Sequence, residues 1–285
     1  MTQPARILAR ASDRVASAII HAARSMPEHS AGEPLREVAA ELVGKDGDAV
    51  PEILRGTDFR TGMSHSFEIG TVESVPLRDS NGKLIGVKFP AQHDNVDSWV
   101  RWANADERTS DRGYGVGVPI VTPNPNGNGV NWELPDSRDA PWDTGGQPPT
   151  YVFAHGIPDG TVLIRASSAD STSTDFAVDG KNFGRILAAN NHYRQAIEDN
   201  SQTTVSAICY GDASADQMTE QLWESGVDTD VFSFKVPTLN WSVGPTQIKG
   251  EASTLSVTAS NPSEEQHLAD PITHRVPPRR THDGA

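Results

Sequence analysis

The sequence predicts an α/β fold with a central, mostly parallel sheet that is flanked by helices. Two short apolar runs, at residues 150–154 and 203–208, are bounded by turn residues and have the length of buried strands. Between them, residues 181–197 carry apolar side chains at helical spacing. A helix between two strands is the usual crossover of a parallel pair, so both strands should end at one edge of the sheet.

Length, composition and charge set the limits of the interpretation. The chain has 285 residues, 22% charged and 36% hydrophobic, with 24 glycines and 20 prolines, which is typical of a loop-rich globular protein. A net charge of −14 argues against nucleic acid or an anionic membrane as the partner. The single cysteine, Cys209, excludes an internal disulfide and a multi-cysteine zinc site.

The first half of the chain is predicted to contain helices followed by strands. Apolar periodicity indicates helices at residues 5–26 and 34–43, so residues 1–46 form an N-terminal helical segment. Residues 47–138 are interpreted as a β-rich part. It includes a strand at 65–69, a hairpin over 72–89 around an Asn-Gly turn, and a short helix at 96–102.

Residues 106–149 are the least regular part of the chain. The alternating glycines at 113–117 are typical of a phosphate loop, but no Lys-Ser or Lys-Thr pair follows them, so a short strand at 116–121 is favoured. The Pro- and Asn-rich run at 123–129 is predicted to be a surface loop, with a processing site as the alternative.

The second half, residues 139–258, holds the predicted parallel unit. A short strand at 162–164, a loop at 169–175, a helix at 216–226 and a strand at 231–236 complete it. Residues 259–285 are polar and Pro-rich, and they are predicted to be disordered. No run is apolar enough to cross a membrane and no secretory signal is seen, which leaves the location open between the cytoplasm and export by a non-classical route.

Each of the two predicted buried strands delivers a reactive residue at its carboxyl end. The first ends at His155-Gly156 and the second at Cys209-Tyr210-Gly211. A thiolate is a strong nucleophile, and an imidazole beside it can take the thiol proton and later protonate the leaving group. The amides of Gly156 and Cys209 would then face the developing oxyanion. The structural alternative is a small buried cysteine and an unrelated turn histidine.

Other histidines and carboxylates are alternative candidates for the same site. His192 competes as the base but lies on the crossover helix, and His65 and His93 have no supporting motif. Asp159 and Asp212 are nearby carboxylates that could orient His155. The histidines show no zinc-binding spacing, so neither a metal nor a cofactor is expected.

A strand that ends in His-Gly is followed by a strand that ends in C-x-G, and His155 and Cys209 are 54 positions apart. This order and spacing resemble those of the caspase-like (clan CD) cysteine peptidases. Pro141-Trp142-Asp143, the run from Val178 to Phe183 and the solitary cysteine also resemble the "lonely Cys" domain of very large actinobacterial multidomain, toxin-like proteins. The likeness covers about residues 139–241. Ile208 departs from it, since the family signature has alanine before the cysteine.

The resemblance implies a caspase-like fold and a cysteine endopeptidase with a His155/Cys209 dyad. Its substrate would be a polypeptide, including its own chain or a neighbouring module. Arg165, Asp212 and Trp241 are the pocket candidates, with residues 236–241 as a pocket wall. Two alternatives stay open: an inactive caspase-like module that binds or supports other domains, and a thiol-dependent transferase that uses the same pair.

Overall fold

The computed structural model describes residues 52–117, 120–123, 130–133, 136–143, 145–167, 172–246, 250–257 and 270–275. The two predicted N-terminal helices and most of the 123–129 loop lie outside these residues. In the described part, the chain forms a large mixed sheet, a smaller sheet, a two-stranded ribbon and four α-helices. The α/β class predicted from the sequence is therefore confirmed.

Four parallel strands form the centre of the large sheet. In spatial order they are β4 (Leu84–Lys88), β10 (Thr150–Gly156), β13 (Thr203–Ile208) and β14 (Asp230–Ser233). Two antiparallel strands close the two edges of this group, β3 (Val75–Arg78) beside β4 and β17 (Ile272–His274) beside β14. The predicted parallel pairing of the His155 and Cys209 strands is confirmed, and so is the hairpin of β3 and β4.

The rest of the large sheet is antiparallel, which corrects the prediction of a mostly parallel sheet. It consists of β11 (Val162–Ser167), β12 (Ser173–Val178), β1 (Ile53–Asp58) and β2 (Ser64–Glu68). Along one edge of β10, residues 151–153 pair with β4, whereas His155 and Gly156 pair with β11. His155 therefore lies where β10 exchanges a parallel neighbour for an antiparallel one.

Four helices cover the sheet: α1 (Val96–Ala103), α2 (Gly180–Ala189), α3 (Asn191–Asp199) and α4 (Asp212–Glu224). The single helix predicted over 181–197 is in fact two, α2 and α3. The chain breaks at Asn190, whose backbone is extended and whose side chain accepts a hydrogen bond from the Tyr193 amide. This is an N-cap, which starts a new helix.

The two faces of the large sheet belong to two hydrophobic cores, because side chains alternate along each strand. On β10, Val152 and Ala154 join the core that contains α2, α3 and α4. Tyr151 and Phe153 face the other core, which contains Trp102 of α1 together with Trp142 and side chains of the smaller sheet. Both faces are thus covered, as the apolar strands predict.

The smaller sheet contains β15 (Thr238–Thr246), β16 (Gly250–Val257), β5 (Glu107–Arg108), β6 (Gly113–Val116) and β9 (Asp136–Asp139). The ribbon pairs β7 (Ile120–Pro123) with β8 (Val130–Glu133). The single strand predicted over 116–121 was wrong, because β6 and β7 divide that region between two sheets. The disorder predicted for 259–285 was also wrong at residues 272–274, where β17 completes a sheet edge.

Candidate active site

His155 and Cys209 occupy neighbouring positions at the carboxyl ends of β10 and β13. The last registered pair of these strands is Ala154 with Ile208, so the next residues along the chain are His155, still within β10, and Cys209, directly after the end of β13. Parallel strands lie about 4.8 Å apart. By alternation both side chains point to the face that carries Phe153 and Ala207. The structure therefore brings together the two residues that the sequence singled out.

Gly156 is required by the closeness of these two strands. A Cβ atom added there would overlap the carbonyl oxygen of Cys209 and lie 2.8 Å from Cγ2 of Ile208. The close approach that this glycine permits is made by the backbone of the cysteine itself.

A sharp turn follows Cys209 and leads directly into α4. Tyr210 has a φ of 56°, in the left-handed region that non-glycine residues rarely adopt. The Tyr210 amide donates to the Val236 carbonyl at 3.4 Å, and the Gly211 amide donates to the Ile208 carbonyl at 3.0 Å. These bonds hold the turn, which costs roughly 1–3 kcal/mol of backbone strain.

The Cys209 thiol is partly buried. Its Sγ atom donates a hydrogen bond to the Thr238 carbonyl at 3.6 Å. Burial raises the pKa of the thiol; hydrogen bonding with Thr238 and the charge of Lys88 oppose this rise without cancelling it. The resting site therefore holds a thiol that is protonated at neutral pH.

The His155 ring is held by a carboxylate that sequence reasoning missed. Its Nε2 atom lies 2.5 Å from Oδ1 of Asp94, and 45% of the His155 side chain is exposed. In the described part of the chain the Nδ1 atom makes no hydrogen bond. Asp94 thus leaves Nδ1 as the nitrogen that can exchange a proton with a ligand or with the thiol.

A buried lysine completes the group. Nζ of Lys88, at the end of β4, lies 2.9 Å from Oδ2 of Asp94, and the Lys88 side chain is fully buried. Burial raises the pKa of Asp94, but the His155 hydrogen bond and the Lys88 charge overcome that effect and hold it well below its usual range. The two oxygens of Asp94 therefore bridge Lys88 and His155.

Asp94 and Lys88 had a signal that sequence reasoning passed over. Lys88 interrupts an apolar run at residues 84–89, and Asp94 follows the end of that run. This is the same arrangement that identified His155 and Cys209, a strand end followed by a reactive side chain. The run was assigned to a hairpin, and its strand was not expected to join the parallel group.

Two of the predicted pocket residues, Arg165 and Asp212, make ion pairs with other residues. The Arg165 guanidinium pairs with Glu73 at 3.3 Å, and Oδ1 of Asp212 lies 3.4 Å from Nε2 of His274. Trp241 belongs to β15, and its side chain lies outside the described residues. The structure thus brings neither Arg165 nor Asp212 into contact with the dyad, so their pocket role stays a prediction, as does the oxyanion role of the two amides.

The other candidates also lie apart from the dyad. The Asp159 carboxylate accepts bonds from the amide and hydroxyl of Thr161 within its own turn, so it does not orient His155. His192 lies on α3, and His65 packs against Phe176 on the antiparallel arm. Asp94 takes the orienting position for which Asp159 and Asp212 had been considered.

Comparison of the chain with protein-family models, with curated proteins and with solved structures finds no match. Among the described residues, no helix has both the length and the apolarity needed to cross a membrane. The same residues contain no group of three or more His, Cys, Asp or Glu side chains arranged to hold a metal ion.

Proposed function

We propose that the chain is a cysteine endopeptidase of the caspase-like type, with Cys209 as nucleophile and His155 as general base and acid. The observation that carries this proposal is the register of β10 and β13, which sets the two residues side by side at one sheet edge. Asp94 supports it, because a carboxylate on Nε2 orients the ring and stabilises the imidazolium.

In this mechanism Sγ of Cys209 turns from Thr238 toward the peptide carbonyl, and His155 Nδ1 takes the thiol proton. The sulfur–carbon bond forms, and the amides of Gly156 and Cys209 face the oxyanion. The carbon–nitrogen bond then breaks, and the amine leaves with the proton from His155. Water attacks the thioester while His155 takes its proton. The carbon–sulfur bond then breaks to release the acid, and the His155 proton returns to the sulfur to regenerate the thiol.

The proposed natural reaction is cleavage within the protein's own polypeptide or a neighbouring module, as the family resemblance implies. The raised pKa of the Cys209 thiol fits such a role, because a resting thiol attacks only when a substrate is held against it.

The test is cleavage of a denatured-proteome peptide library, read by mass spectrometry as new termini, together with labelling by a peptidyl acyloxymethyl ketone. Wild type should cut and label, whereas Cys209→Ser and His155→Ala should lose both activities. His192→Ala is the matched control, since it removes the competing histidine on α3, and it should stay active. Equal labelling of wild type and His155→Ala would refute the proposed mechanism.

The second candidate is a non-catalytic module with the same fold. The specific observation in its favour is the bond from the Cys209 thiol to Thr238, which directs the sulfur to a backbone carbonyl rather than to His155. This candidate predicts that no peptide is cleaved, so no new termini are found. It also predicts that Cys209 is labelled equally well whatever peptide sequence the electrophile carries.

A further inference from the structure

Lys88 is a charged side chain in a place where a charge is costly. It is fully buried between Val87 and Phe89, which belong to the opposite core. Burying an ammonium group costs several kcal/mol unless it is paired. One carboxylate, Asp94, and one aromatic ring, Trp99 with its centroid 4.5 Å from Nζ, contact this group in the described part of the chain. A lysine buried under these conditions points to an electrostatic role.

The strand register places Lys88 close to the dyad, in the row of paired residues that precedes it on the same face of the sheet. Lys88 is paired with Phe153, and Phe153 is paired with Ala207, so these three residues lie side by side across β4, β10 and β13. His155 and Cys209 come two residues further along on the same face. The Lys88 side chain extends toward this edge, because its Nζ reaches Asp94, which itself contacts His155.

We propose that Lys88 is a positioning residue of this site, whose buried ammonium group holds Asp94 against His155 and supplies positive charge beside Cys209 when the thiol loses its proton. As a description of catalysis it rests on the proposed function. With the thiolate and imidazolium formed, the four groups alternate in sign: Cys209 negative, His155 positive, Asp94 negative and Lys88 positive. The charges of these four groups sum to zero both before and after the proton transfer, so the site buries no net charge in either state.

The electrostatics of the site agree with this arrangement. Burial lowers the pKa of Lys88, and Asp94 and then Cys209 raise it again in part. The Lys88 charge in turn lowers the pKa of Cys209 against the effect of burial. Among the described residues, Asp94 is the titratable group that contacts the ammonium, Tyr210 interacts with the thiol, and His155 reaches the group through its hydrogen bond with Asp94.

The test is the pH dependence of Cys209 alkylation by iodoacetamide, followed by intact mass on the full chain. Lys88→Met should raise the midpoint by about one pH unit, because removing a cation near a thiolate disfavours the charged form. Lys83→Met is the matched control: it removes the same charge at the other end of β4, about 16 Å away along the strand, and should leave the midpoint unchanged.

Two further measurements keep the test decisive. Lys88→Met leaves Asp94 buried without its partner, so the comparison is repeated as Asp94→Asn against the Lys88→Met/Asp94→Asn double variant. A midpoint that does not move in either background overturns the inference, even if the variants are less stable.

Loss of peptide cleavage in Cys209→Ser and His155→Ala tests the proposed function separately. A non-cleaving wild type with a shifted Lys88→Met midpoint would reject the function and retain the role of Lys88.

Discussion

Replacing Gly156 with alanine tests whether the close approach of β10 and β13 builds the site. The added methyl group would overlap the Cys209 carbonyl and lie 2.8 Å from Ile208 Cγ2, below the 3.4 Å at which ordinary contact begins. The obstacle is backbone, so relief requires the strand ends to separate. Overpacking of this kind costs roughly 1–3 kcal/mol of unfolding free energy.

The effect on reactivity should exceed the effect on stability. A misplacement of about 1 Å between reacting groups can cost on the order of 10²-fold in rate. We therefore expect Gly156→Ala to label at least ~10²-fold more slowly with the peptidyl electrophile, under conditions where urea denaturation shows it still folded.

Gly70→Ala is the matched control for this variant. Gly70 has no neighbour within 4 Å of an added Cβ, and its φ is not in the left-handed region. It should label like wild type. If Gly156→Ala also labels like wild type and unfolds at the same urea concentration, the strand ends are not held as described, and the adjacency argument fails.

Three other features of the chain, at Asp94, Cys209 and His274, each have a measurable consequence. Asp94→Asn should remove a pH-dependent component of stability: the folded pKa of Asp94 is depressed, so its stabilisation is present above about pH 4 and is lost as pH falls through the folded value. Urea melts from pH 3 to 7 check this, and parallel curves for variant and wild type would contradict it. Wild-type Cys209 should alkylate with a midpoint above the ~8.5 of a free thiol, since burial raises its pKa; a midpoint at or below that value contradicts the prediction. His274→Ala should lower the unfolding free energy by about 1–3 kcal/mol, because it leaves the buried Ser233 hydroxyl without its 2.7 Å partner; unchanged stability contradicts this, and Arg275→Ala, an exposed ion pair, is the control.

The parts of the site that the sequence predicts are those with a local signature. Cys209 and His155 each end an apolar run and stand beside a glycine, and this pattern alone placed them at one sheet edge. Asp94 reaches His155 from 61 positions earlier in the chain. The apolar run before Asp94 marks it only as a polar residue after a strand, and its pairing with the His155 ring depends on β4 joining β10, a long-range contact.

The fold shows the same division between local and long-range information. The hairpin of β3 and β4 and helix α1 follow from turn residues and periodicity, and they were predicted. Strand β17 was not, because Ile272–His274 lies in a polar tail and forms a strand only through its pairing with β14. Its His274 is buried between Ser233 and Asp216, contacts that no local pattern reveals.

The contact between Cys209 and Thr238 cannot form early in translation, so the thiol of the nascent chain differs from the thiol of the folded protein. Thr238 is translated 29 positions after Cys209, and β14 and β15 also follow it. On the ribosome the lone thiol is therefore first an ordinary exposed cysteine, with the acidity and the susceptibility to oxidation of a free one. Folding then raises its pKa and shelters it, so the finished protein is less vulnerable to oxidants at this position than its own nascent chain.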